Sequence, residues 1–198
     1  EQARALLAHT DGHALHAYWS IMLYLGLRPG EAAGLTWPDI DLDNNVLHVR
    51  RSLKIEDKKL VVDERLKTTR SRRSLDIPEP LADLLRQHRV RQDQQREAAC
   101  AWAAEYGSLA FTTANGTPHH PRNIARTLTA ATQKLGIGHW HPHELRHTAA
   151  SLMSEAGIPI ETIADQLGHD GTRMTLLVYR HATKPTIAAG NAMTQHLT

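Results

Sequence analysis

Apolar positions recur with a helical period at both ends of this chain and alternate in a strand-like way between them, which predicts helices flanking a small sheet. "EQARALLAHT" opens inside a helical pattern, with no capping residue ahead of Glu1. "HALHAYWSIMLYLGL" predicts an apolar helix with Leu15, Tyr18, Trp19, Met22 and Leu23 on its inner stripe, ended by Gly26. "PGEAAGL" restarts a short helix with Pro29 at its first position and Glu31 in its first turn, leaving Arg28 at a helix junction. From Asn45 the period shortens. "NNVLHVRRSLKI", "KLVVDERLK" and "RSLDIP" predict three short antiparallel strands, with Lys67 at the end of the second. "EPLADLLRQHRVRQDQQREAACAWAAE" predicts one long helix with a charged outer face, and "FTTANGTPHH" a loop with Asn-Gly turn chemistry. Three helices follow, Pro121 to Leu135, His143 to Ala156, and Pro159 to Leu167, the last closed by Gly168. Thr172 then caps a short helix carrying Tyr179. The expected fold class is α+β, mainly helical, with a small three-stranded antiparallel sheet.

Composition narrows the picture. At 198 residues and 41% apolar, the chain holds enough for one ordinary core. The single cysteine, Cys100, excludes an internal disulfide framework, and no signal-peptide pattern opens the sequence, so a cytoplasmic location is expected. Apolar runs such as "IMLYLGL" fall well short of the roughly 20 residues that span a bilayer. The net charge is only +2, but ten Lys or Arg against four Asp or Glu lie between residues 48 and 73. A basic run across strands and tight turns presents one cationic edge, which suits a polyanion partner.

The stretch "HPHELRH" carries two readings. His143, Glu144 and His147 fit the H-E-x-x-H helix of a zinc peptidase. The extended zinc pattern, however, has glycine and histidine where this chain has Ala150 and Met153, and Arg146 would set a guanidinium beside the dication. On a helical wheel Leu145, Thr148, Ala149, Leu152 and Ala156 form the expected core stripe, and His143, Arg146 and His147 fall nearly opposite it. That face keeps only the small Ala150 and Ser154 between them, open to close approach by another element or a ligand. A guanidinium fork there suits the non-bridging oxygens of a phosphate.

Other phosphate-suited groups stand at element junctions: Arg28, Lys67, His169 just past a glycine cap, and Tyr179. In order, "GLRPGEAAGLTWPDIDL", "KTTRSRRSLDIP", "HPHELRHTAASLMSEAGIPIETIADQLGH" and "TLLVYRHA" resemble the catalytic domain of the tyrosine recombinase, or phage integrase, family. The resemblance covers residues 1–183. The expected organisation is that domain, a tail over residues 184–198 that docks on a neighbouring subunit or folds back, and an N-terminal core-binding domain missing upstream.

The resemblance implies a site-specific DNA recombinase that needs neither metal nor ATP and has no cofactor. Arg28 and Arg146 would be its catalytic arginines, Lys67 the hairpin lysine, His143 the first histidine of H-x-x-R, His169 the second histidine, and Tyr179 the nucleophile. The chemistry is self-consistent. A phenol with a free pKa near 10 needs a base or nearby cations before it attacks a phosphodiester. Attack yields a 3′-phosphotyrosyl link and a free 5′-hydroxyl, conserving the bond energy. Arg28, Arg146 and His169 would hold the non-bridging oxygens, Lys67 would protonate the leaving 5′-oxygen, and His143 would act as general base. Glu31, His147 and His181 would orient these groups. Arg50, Arg51, Arg65, Arg70, Arg72 and Arg73 would contact duplex DNA at a specific site, within a tetramer on synapsed DNA. The alternatives are a topoisomerase-like single-strand relaxase, a DNA-binding module without activity, and the zinc peptidase.

Overall fold

The computed structural model describes residues 1–57, 59–63 and 72–169. Helix α1 spans Gln2–His9 and α2 spans His16–Leu25. Ala17 to Leu23 and Leu25 are all buried, so α2 is enclosed on nearly every face, as befits a helix apolar all round. It begins three residues later than the pattern predicts, because Gly12 sits at φ +77° and the Leu15 N–H donates to His13 Nδ1 in a turn. Around α2 pack Leu6 of α1, Leu81, Ala82 and Leu85 of α4 (Glu79–Ala98), and Leu145 of α6 (Pro142–Glu155). Helices α3 (Pro29–Ala33), α5 (Pro121–Lys134) and α7 (Ile160–Leu167) complete the helical set among the described residues. None of the helices among the described residues is long and apolar enough to cross a membrane.

The α+β class holds, with the sheet assembled differently from the sequence expectation. Strands β1 (Ile40–Asp41), β2 (Val46–Val49) and β5 (Arg73–Asp76) form an antiparallel sheet in the order β1-β2-β5, with Leu47 opposite both Ile40 and Leu75. Strands β3 (Ser52–Glu56) and β4 (Lys59–Asp63) form a separate hairpin. "NNVLHVRRSLKI" is therefore two strands broken at Arg50 and Arg51. The break has a visible cause. Asp39, 1% exposed, draws Arg50 Nη1 and Arg51 Nη2 to 3.6 Å each, and Arg51 Nη1 donates to Thr36 Oγ1 at 3.2 Å. Strand β3 then lies against the glycines beside and within α3. A Cβ on Gly30 would come within 2.8 Å of the Leu53 carbonyl oxygen, and one on Gly34 within 2.8 Å of Leu53 N. Only glycine permits that approach.

The predicted long helix over "EPLADLLRQHRVRQDQQREAACAWAAE" also ends early, at Ala98. Beyond it the Ala103 N–H donates to the Asn115 carbonyl, and the Trp102 indole lies so near Gly116 that a Cβ there would sit 2.5 Å from it. Burying the indole against the loop outweighs two more helical turns.

Candidate active site

The site grows from two helix ends. Helix α2 stops at Gly26 (φ +67°) and α7 at Gly168 (φ +66°), both left-handed caps that suit glycine. At α7 the Gly168 N–H donates to the Asp165 carbonyl and the His169 N–H to that of Ala164, a Schellman closure that leaves the next three carbonyls without helical donors. Three arginines supply them. Arg73 Nε donates to Gln166 at 2.7 Å, Arg146 Nη2 to Leu167 at 2.7 Å, and Arg28 Nη2 to Gly168 at 2.9 Å. Arg146 Nη1 reaches the end of α2 as well, at the Gly26 carbonyl, 2.7 Å away. Cations at helix C-termini are favoured by the negative end of the dipole.

Glu31 fixes two of these arginines. Its side chain is 3% exposed. Oε1 accepts from Arg28 Nη1 at 2.7 Å and Arg73 Nη1 at 3.3 Å, and Oε2 from the Arg28 backbone N–H and Arg73 Nη2, both at 2.9 Å. Burial pushes the Glu31 carboxyl up, but the Arg73 hydrogen bond and charge, with the Arg28 contacts, outweigh it and hold it below its ordinary range. Arg28 stands as N-cap of α3 with Pro29 behind it, so the local sequence that restarts the helix also aims this side chain.

Arg146 is 6% exposed, and among the described residues it has carbonyl partners but no carboxylate ion pair. Burial, then the charges of Arg28 and Arg73, push its guanidinium down to about 9, which leaves it cationic at neutral pH. Among the described residues, three guanidinium groups stand against one carboxylate, that of Glu31, which makes this an electropositive cluster. His169 follows Gly168 directly; burial, then the charges of Arg146, Arg28 and Arg73, push its imidazole down to about 4, so it is neutral at pH 7. His143, on the first turn of α6, reaches solvent. Partial burial lowers its pKa first, then the nearby His147 and Arg146.

Of the site residues expected from sequence, the structure brings together Arg28, Glu31, Arg146 and His169, with His143 close enough to feel both arginines and His147 exposed on the same helix. The orientation of α6 differs from the helical-wheel expectation. Leu145, Arg146, Ala149 and Ala150 are buried, whereas Leu152 is 43% exposed. The reason is α7, which packs Ile163 and Leu167 on Ala150, so the small-residue face is an interior one and Arg146 is held inside rather than turned outward. Glu144 is a helix cap, accepting the His141 backbone N–H at 3.0 Å. Among the described residues no group of three metal-ligating side chains converges, so His143 and His147 lack a third ligand there.

Arg50, Arg51 and Arg72 line an open groove of about 490 Å³ with His48, Val49, Arg73 and Ser74. Arg73 was expected on the DNA-facing surface, yet its side chain is 7% exposed and committed to Glu31. That role had a readable signal: strand alternation puts Arg73 on the same face as the buried Leu75. Lys67, Tyr179, His181, Arg65 and Arg70 lie outside the described residues.

The phage integrase family model matches residues 1–185. An integrase of Streptomyces ambofaciens is 33% identical over 96% of this chain, and a XerC-like tyrosine recombinase of Caldanaerobacter subterraneus is 31% identical over 91%. The chain spans 50% and 49% of those two relatives, about half their length. The integrase of transposon Tn1549, solved in complex with transposon right end DNA, superposes with a TM-score of 0.78 at 24% identity, covering 99% of this chain and 64% of that one. The fold, the ordered motifs and the family match agree, and the chain belongs to the phage integrase family.

Proposed function

We propose that this chain is the strand-transfer part of a site-specific DNA recombinase that cuts and rejoins duplex DNA through a 3′-phosphotyrosyl intermediate. The observation that carries the reading is the cluster at the end of α7. Arg28 and Arg146 are held on adjacent carbonyls of one helix end, with a neutral His169 beside them and, among the described residues, only the Glu31 carboxylate against the arginines. A phosphodiester is the anion such a pocket suits, and preorganised cations stabilise the charge that builds on a pentacoordinate phosphorus. The integrase and tyrosine recombinase names of the relatives, and the DNA in the Tn1549 complex, support the same substrate.

In this reading Tyr179 attacks the scissile phosphorus through its phenolic oxygen. The bond from phosphorus to the 5′-oxygen breaks, and that oxygen takes up a proton from Lys67. Arg28, Arg146 and His169 hold the non-bridging oxygens, and His143 accepts the phenolic proton. Attack by a different 5′-hydroxyl reverses the steps and exchanges strands. Arg50, Arg51, Arg72, Arg65 and Arg70 hold the flanking backbone, and four copies act on two synapsed duplexes. A nicked suicide duplex, which after cleavage loses the short fragment bearing the new 5′-hydroxyl, tests the chemistry. The wild-type chain is expected to form a covalent adduct that persists in EDTA, and Tyr179→Phe to form none. An adduct that survives that substitution contradicts the nucleophile assignment.

A further inference from the structure

In sequence Arg73 is one more cation in a basic run, and in the structure it sits at a crossing point. All three of its guanidinium nitrogens are engaged: Nε with the Gln166 carbonyl at 2.7 Å, Nη2 with Glu31 Oε2 at 2.9 Å and Nη1 with Glu31 Oε1 at 3.3 Å. The side chain is 7% exposed. Both of its partners support the arginines of the proposed site. Glu31 holds Arg28 through its backbone N–H and Nη1, and the Gln166 carbonyl precedes the two carbonyls that hold Arg146 and Arg28. Arg73 thereby ties a strand of the sheet to the N-terminal turn of α3 and the last turn of α7 at one point.

We propose that Arg73 is a positioning residue. By clamping the Glu31 carboxylate and the end of α7, it fixes the direction in which Arg28 and Arg146 meet the scissile phosphate, and it makes no contact with DNA itself. The proposal rests on the strand-transfer reading above. Its fork geometry is the reason for arginine: a planar guanidinium reaches two carboxylate oxygens and a carbonyl at once, which a lysine ammonium cannot do.

The test compares Arg73→Met and Arg73→Lys with wild type in the full chain. The measurements are the rate of covalent adduct formation on the nicked suicide duplex and the affinity for the same duplex at several salt concentrations. Misplacing a catalytic group by about 1 Å from the productive geometry slows reactions by about 10²-fold. Arg73→Met is expected to slow cleavage by about that factor and Arg73→Lys by less, with duplex affinity and its salt slope unchanged, because no phosphate contact is lost. Adding Arg73→Met to Arg28→Ala is expected to slow cleavage by less than the product of the two single losses, since part of the Arg73 effect runs through Arg28. Should Arg73→Met not fold, as judged by circular dichroism, Arg73→Lys, which keeps the charge, carries the comparison. Cleavage at the wild-type rate in the folded variant, a salt slope reduced by about one, or fully multiplicative losses would each overturn the assignment. A wild-type chain that forms no adduct overturns the strand-transfer reading and this assignment with it.

Discussion

Replacing Glu31 by alanine removes the anion on which two arginines converge. The magnitude follows from the two halves of the ion-pair set. Arg28 is 37% exposed along its side chain, so water reclaims much of what it loses, and its share lies in the surface range of about 0–1 kcal/mol. Arg73 is 7% exposed and would lose the buried carboxylate that both its Nη groups hold, a broken buried pair that costs about 3–5 kcal/mol. The total is a large part of the roughly 5–15 kcal/mol that holds a domain together. Urea unfolding followed by tryptophan fluorescence, to which the fully buried Trp19 contributes, reads it. With a slope of about 2 kcal/mol per molar urea, the midpoint of Glu31→Ala is expected to fall by about 2 M at pH 7. The difference has a pH signature. Because the folded carboxyl titrates below its ordinary value of 4.5, the stability it confers is complete above that pH and disappears as pH falls through the lower folded value. Wild type and variant should therefore converge in acid. A midpoint shift no larger than that of a surface substitution, about 0.5 kcal/mol, or a shift that persists undiminished at pH 3, would show that Glu31 is not the buried counter-charge of these arginines.

Gly26→Ala would drive a Cβ into Leu167 Cδ2 at a φ of +67°, so a loss of about 1–3 kcal/mol is expected in the same unfolding assay, and the loss on combining it with Leu167→Ala should be less than the sum of the two single losses. Arg50→Ala, removing a half-exposed cation from the basic groove, should lower the slope of log affinity for duplex DNA against log salt by about one, whereas Lys54→Ala, whose ammonium is already paired with Glu56 and Asp63, should leave it unchanged. Equal slopes for the two variants would contradict the groove assignment. The His169 imidazole, titrating near 4 rather than 6.5, should remain neutral at pH 5.5 by NMR. Since its folded pKa is depressed, acidifying from 6.5 towards 4 protonates the unfolded chain first and lowers stability over that window. Binding of the scissile phosphate should raise the value.

The parts of this molecule legible in the sequence are those set by local chemistry. Gly26 and Gly168 announce their helix ends, Pro29 and Glu31 announce α3, and the ordered motifs announce the family. The sheet was less legible, because whether "NNVLHVRRSLKI" runs straight or breaks depends on Asp39, which lies in a different segment, and on the glycines of the α3 region. A helical wheel finds the apolar stripe of α6 but not which side a second helix covers. Ala150 looks like open surface until Ile163 and Leu167 close over it, and Arg146 then becomes a buried cation. Arg73 hides for a related reason: a run of basic residues reads as one surface, and its inward direction shows only through strand alternation with Leu75. The need for three donors at the end of α7 follows from helix termini in general, but their source in three distant segments does not.

In the proposed reaction a tyrosine of this chain becomes covalently joined to DNA at a phosphate held by Arg28 and Arg146. Trapping the adduct on a suicide duplex, digesting the protein and sequencing the nucleotide-linked peptide by mass spectrometry tests it most directly. The expected product is a 3′-phosphate on Tyr179, formed in the presence of EDTA and lost in Arg146→Ala. A linkage at any other residue, or a yield in Arg146→Ala equal to wild type, would contradict it.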